Sequence, residues 1–212
     1  MQKIVSIEQI KRNKNKFIIT LDNGEVFNLV DEAIVKYGLY VGKEIDEKKL
    51  CETANYSEKT EAFSRALKTL EKSFKTEKEI FNLLKEKGFQ ENAIIEAIKK
   101  LKEYNYVSDI EFAKQFVASV STHKGKKLIE YELKQKGVDE NIISDAVSLL
   151  EDELDTILVL AKKFMKNKEN CKENLAKLIR HLMSKGFKYE DIKNAIKNLE
   201  LEIENEDWNW YC

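Results

Sequence analysis

The chain has 212 residues, with 42% hydrophobic and 35% charged residues and no proline, which suits a mostly helical protein with a buried core and long solvated helix faces. Its net charge of −1 gives no whole-molecule electrostatic case for nucleic acid. No apolar run nears the ~20 residues of a membrane span, the start MQKIVSIEQIKRNKNK lacks the apolar stretch of a signal peptide, and Cys51, Cys171 and Cys212 are odd in number without metal-type spacing.

A soluble, cytoplasmic protein with reduced thiols is expected, without membrane contact. Residues 1–55 read as a small β-rich or mixed domain. Within it, residues 16–21 and 25–30 are β-type runs flanking Asp22-Asn23-Gly24, a hairpin signal because Asn and Gly tolerate positive φ. Residues 3–10 add a third strand. Residues 31–37 and 46–55 read as two short helices, the first closed by Gly38.

From residue 56 the pattern turns helical and repeats. The stretches LLKEKGFQENAIIEAIKKL from Leu83, ELKQKGVDENIISDAVSLL from Glu132 and HLMSKGFKYEDIKNAIKNL from His181 place Gly88, Gly137 and Gly186 at intervals of 49 residues. That period marks a helical repeat array. The expected fold is mainly α: three tandem three-helix repeats forming an elongated curved array behind the β-rich domain. Repeats are placed at 56–108, 109–154 and 155–200, with a tail at 201–212.

In the first repeat, helix a covers 58–74, helix b 77–87 and helix c 91–104. Thr76 and Glu79 have capping-box spacing, as do Ser108 and Glu111 ahead of the next helix a. The three glycines end the b helices, where a left-handed residue is required, and Phe89, Val138 and Phe187 fold back onto them. Core positions recur in register: Phe63, Phe112 and Ala161; Leu67, Phe116 and Met165; Leu84, Leu133 and Leu182; Ile94, Ile143 and Ile192; Ala97, Ala146 and Ala195; Leu101, Leu150 and Leu199.

Little in the chain reads as chemistry. His123-Lys124-Gly125-Lys126-Lys127 lacks the upstream glycine and following hydroxyl residue of a phosphate loop. His123 and His181 have no paired-ligand spacing. Ser119, Ser121 and His123 are close in sequence but do not form a nucleophile motif. No catalytic residue, cofactor or metal is expected.

Basic positions are the candidates for contact. Arg65, Lys114 and Lys163 share one repeat position. Lys87, Lys136 and Lys185 share another, but lie at helix C-termini, where a cation complements the dipole. Lys124, Lys126 and Lys127 begin a helix, an unfavourable place for cations without an anion nearby. The third repeat (155–199) holds 11 basic against 5 acidic residues and adds Lys162, Lys166 and Arg180 as candidates. Residues 200–212 hold five acids, from Glu200 to Asp207, and both tryptophans, and the tail would compete with a polyanion for that basic repeat.

These words resemble the RecX family of bacterial regulators of the recombinase RecA. Thr76-Glu-Lys-Glu-Ile, Leu84 and Lys87-Gly88-Phe89 are similar to the family's S-x-x-E-L…L…K-G-F pattern. Tyr106-Val-Ser-Asp109-Ile-Glu-Phe112-Ala113 is similar to its Y-L-N-D-x-x-F-A, continued by Lys124-Gly125, Leu133 and Lys136-Gly137-Val138. The likeness covers roughly residues 60–200. The run Phe116-Val-Ala-Ser-Val-Ser-Thr lacks an arginine that the family usually carries there. The resemblance implies a non-enzymatic protein that docks in the groove of a RecA–DNA filament and blocks filament growth and strand exchange. DNA would be a secondary partner, single- or double-stranded, and a monomer is expected. The alternative reading is a helical-repeat protein that binds nucleic acid directly.

Overall fold

The computed structural model describes residues 1–198 apart from Arg12, Glu151 and Asn170, so Leu199 and the acidic aromatic tail lie outside the described residues. The chain divides into two compact units, the first running from Met1 to Ser108 and the second beginning at Asp109.

The first unit opens with strands β1 (Gln2–Ile10), β2 (Asn13–Leu21) and β3 (Val26–Val30), followed by helix α1 (Asp31–Lys36) and the short strand β4 (Glu44–Ile45). All pairs are antiparallel in the order β3-β2-β1-β4. The expected strands and hairpin are present, with Gly24 at φ +86° in its turn. The fourth strand was not legible. It is two residues long, and its pairing with Gln2 and Lys3 is a tertiary event. A register shift between Ile4 and Ser6 bulges β1, which bends a strand and raises its twist. Ile4, Ile19, Leu21, Leu29, Leu39, Ile45 and Leu50 form the core beneath the sheet.

Helix α2 (Glu47–Leu70) replaces the two helices expected at 46–55 and 58–74. The Asp46 carboxylate accepts the Lys49 N–H at 2.7 Å to start it, and neither glycine nor proline interrupts the helix thereafter. Thr53 and Ser57 carry hydroxyls of the kind that can compete for backbone groups. Here both face inward. Thr53 bonds back to the Lys49 carbonyl at 2.6 Å, and Ser57 Oγ accepts the Val30 N–H of β3 at 2.8 Å. One helix therefore serves two cores, with Leu50 beneath the sheet and Ala62 and Ala66 against α3 (Glu77–Glu86) and α4 (Glu91–Glu103). It ends at Leu70, and Phe74, expected inside it, is exposed.

The capping box at α3 is complete. The Glu79 N–H donates to Thr76 Oγ1 and the Thr76 N–H to Glu79 Oε2, each at 3.2 Å.

The second unit contains α5 (Asp109–Val120), α6 (Lys126–Gln135) and α7 (Glu140–Ser148), then α8 (Leu154–Met165), α9 (Lys172–Ser184) and α10 (Tyr189–Asn198). Each triplet surrounds its own core. The b helices α3, α6 and α9 all end in the same turn. Gly88, Gly137 and Gly186 have φ of +84°, +84° and +90°. The amides of Phe89, Val138 and Phe187 donate to the carbonyls of Leu84, Leu133 and Leu182 at 3.3, 3.2 and 3.3 Å, completing Schellman caps. Those three leucines are fully buried.

The 49-residue register holds through helices b and c but not through helix a. The residues of helix a at no more than 5% exposure are Ala62 and Ala66, then Ala113 and Val117, then Ile157 and Ala161, which are not spaced by 49. Phe63, Leu67, Phe116 and Met165, and Leu150 just past the end of α7, expected as core, are only partly buried. Helices b and c are joined by a fixed glycine turn, whereas the connections to helix a vary. α9 starts 14 residues before its glycine, while α3 and α6 start 11 before theirs.

Candidate interaction surface

Arg65, Lys114 and Lys163 are all exposed, but they do not share a face. Arg65 precedes the buried Ala66 by one residue, whereas Lys114 follows the buried Ala113 by one, so they lie on opposite flanks of their buried stripes. Lys114 also pairs with Glu111 at 2.9 Å.

Lys124, Lys126 and Lys127 differ from one another. Lys124 pairs with Glu132 of α6 at 2.6 Å, both side chains about a quarter exposed. Lys126 Nζ donates to the Leu150 carbonyl at 3.0 Å, just past the end of α7. Lys127 is exposed and forms no ion pair among the described residues.

The anion missing from the start of α6 is Glu153, the residue preceding α8. Its Oε1 accepts the Lys126 N–H at 2.6 Å, where the helix dipole favours negative charge. Burial pushes the Glu153 carboxyl above the ordinary carboxylate range. Lys126 opposes that rise through both the hydrogen bond and its charge, and nearby Asp191 adds to it. Alongside, the Gly125 N–H donates to the Lys185 carbonyl at 2.8 Å. A Cβ on Gly125 would lie 2.6 Å from the Gly186 carbonyl, and one on Gly186 would overlap Leu128. Gly186 is therefore both a helix stop and a point of close backbone approach between the second and third triplets. Glu153 and Gly125 were missed in the sequence. Their signals were the Glu151-Asp152-Glu153 run and a glycine beside lysines, neither of which specifies its partner.

The third triplet carries several exposed cations outside any ion pair among the described residues. Lys162, Lys163 and Lys166 are exposed along and just beyond the last turn of α8, and Arg180 is exposed on α9. None forms an ion pair among the described residues. Nearby, Phe164 and His181 stack at 5.0 Å and Lys168 Nζ lies 3.2 Å over the Phe164 ring. Burial lowers the His181 pKa, and the charges of Lys185 and Lys168 lower it further, the mark of a positive local potential. Among the described residues no group of His, Cys, Asp and Glu could hold a metal ion, and no helix is long and apolar enough to cross a membrane.

A β-rich head followed by three three-helix triplets defines a helical-repeat protein. Profiles of three RecX domains match it in order: the first three-helix domain over residues 62–101, the second over 108–147 and the third over 151–196. Regulatory protein RecX of Clostridium perfringens strain 13 is 38% identical over 205 residues, covering 94% of this chain and 97% of that protein. The Clostridium botulinum strain Alaska E43 protein of the same name is 36% identical over 203 residues, covering 93% and 96%. A crystal structure of regulatory protein RecX superposes with a TM-score of 0.68 at 28% identity, covering 92% of this chain and 100% of that one. The structure of RecX from Lactobacillus salivarius gives 0.62 at 28% identity, covering 68% and 98%. The chain belongs to the RecX family of regulatory, non-enzymatic proteins.

Proposed function

We propose that this protein regulates homologous recombination and DNA repair by docking in the groove of the RecA–DNA filament. There it inhibits filament growth, strand exchange and other RecA-dependent activities. The observation that carries the reading is the ordered match of all three RecX three-helix domains across residues 62–196. An array of repeats presents a long surface and suits an extended partner better than a compact ligand. Of the candidate contacts, Arg65, Lys127, Lys162, Lys163, Lys166 and Arg180 suit the role best, being exposed and outside any ion pair among the described residues. Lys114 remains a candidate although it pairs with Glu111, while Lys124 and Lys126 serve the fold first.

Adding the protein to preformed RecA filaments tests this. ATP hydrolysis and strand exchange should fall at concentrations where bare DNA is still unbound. Unchanged filament activity would overturn the reading. The free cations of the third triplet favour a second reading, direct nucleic-acid binding without a recombinase. It predicts that bare DNA binds first and that affinity falls steeply with salt.

A further inference from the structure

Charge alone draws the acidic residues 200–212 toward the third triplet, and the fold adds where along it they can lie. The first triplet supplies the geometry. Near the end of α4, Lys100 places its Nζ 4.5 Å from the Phe63 ring centre of α2, and the Tyr104 ring lies 6.2 Å from that of Phe63. Phe63 follows the buried Ala62 by one residue, just as Leu158 of α8 follows the buried Ile157. The 49-residue register holds through helix c and carries Lys100 onto Asn198, the last residue of α10. Helix α10 packs through Ile192, Ala195 and Ile196 in the core that Ile157 and Ala161 of α8 share. It therefore ends at the Leu158 flank of α8.

Lys162 and Lys166 continue that flank. Leu158, Lys162 and Lys166 stand four residues apart, about one helical turn each, whereas Lys163 is rotated about 100° away from Lys162. Both flank lysines are exposed and outside any ion pair among the described residues.

The segment that follows α10 matches this stripe. Residues 200–212 hold five acids and no lysine or arginine, against 11 basic and 5 acidic residues in 155–199. Glu200, Glu202, Glu204 and Glu206 alternate, so in an extended segment their carboxylates fall on one side, ~6.6 Å apart. Lysines one helical turn apart offer a similar spacing of ~5–6 Å. Attachment at Asn198 also gives the segment an effective concentration at the stripe of about millimolar, which a separate acidic protein would have to match.

We propose that residues 200–212 form a strap along the Leu158, Lys162 and Lys166 flank of α8 in the same chain, with the alternating glutamates on the two lysines. The strap covers two of the cations assigned above to the filament. Resting on that reading, it is an autoinhibitory contact that must lift before those cations meet a partner.

The test needs neither recombinase nor nucleic acid, so its outcome is separate from that of the filament assay. Trp208 and Trp210 are the only tryptophans in the chain, and tryptophan emission therefore reports on this segment alone. At low salt, the emission anisotropy of the full chain should fall toward that of the urea-unfolded chain in Lys162→Gln/Lys166→Gln. It should fall likewise in about 1 M salt, where the screening length shrinks to about 3 Å. Lys162→Arg/Lys166→Arg and Lys163→Gln should keep the wild-type value, with thermal melts confirming that each variant folds. Carbodiimide, which joins lysines to carboxylates in contact, should link Lys162 or Lys166 to Glu200, Glu202, Glu204 or Glu206 within one chain. Any of three results overturns the proposal. These are unchanged anisotropy in the double glutamine variant, an equal fall in Lys163→Gln, or links found only between two chains, which would assign the flank to the tail of a second copy.

Discussion

A methyl group added at Gly88 should do less harm than one added at Gly186. Both residues have strongly positive φ, which costs an L-residue ~1–2 kcal/mol. Nothing lies within 4 Å of a Cβ on Gly88, so Gly88→Ala should lose about that amount and Gly88→Asn less. At Gly186 the new atom also runs into the backbone of Leu128, adding ~1–3 kcal/mol of overpacking. Urea unfolding of the two alanine variants should show the larger loss at Gly186, and equal losses would refute the close-approach role. The repeated K-G word identifies both glycines as helix stops. Their different surroundings cannot be read from the word.

Among elements, the joint between the second and third triplets is the most informative. Its Glu153 carboxyl is pushed upward by burial, so the folded protein holds a proton there more tightly than the unfolded chain does. Stability from this group is greatest below the ordinary carboxylate range and falls as pH rises through the raised folded value. Glu153→Gln keeps an oxygen for the Lys126 N–H and removes the buried charge, so its melting temperature at neutral pH should equal or exceed that of wild type. Glu153→Ala leaves that amide without its side-chain acceptor and should lose ~1 kcal/mol. A glutamine variant less stable than the alanine variant would contradict this account. Helix α2 carries a related lesson. Its polar middle looks like a break in the sequence, yet Ser57 satisfies a strand amide that no local pattern reveals.

For the whole molecule, the decisive variable is which cations remain available. If the third triplet meets duplex DNA, Lys162→Gln, Lys163→Gln and Lys166→Gln should each lower the slope of log affinity against log salt by about 0.9 for every phosphate that the lysine neutralises. Lys124→Gln and Lys126→Gln should leave that slope unchanged and instead lower stability, since those side chains hold Glu132 and the Leu150 carbonyl. Equal slope changes in both sets would mean that the intramolecular bonds do not reserve those lysines. Net charge near zero conceals this division, because it sums engaged and available groups alike.

The helical class, the three triplets, the glycine stops and the hairpin were legible in the sequence. Each depends on local chemistry: apolar spacing, capping residues and positive φ act within a few positions. Tertiary packing alone decided that α2 is continuous, that helix a leaves the 49-residue register and that Glu153 clasps the start of α6. It alone brought Phe63 beside Tyr104, residues 41 apart in sequence. Such contacts join distant segments whose pairing depends on how loops and helix ends settle, and residue type at one position carries no information about the residue that will face it.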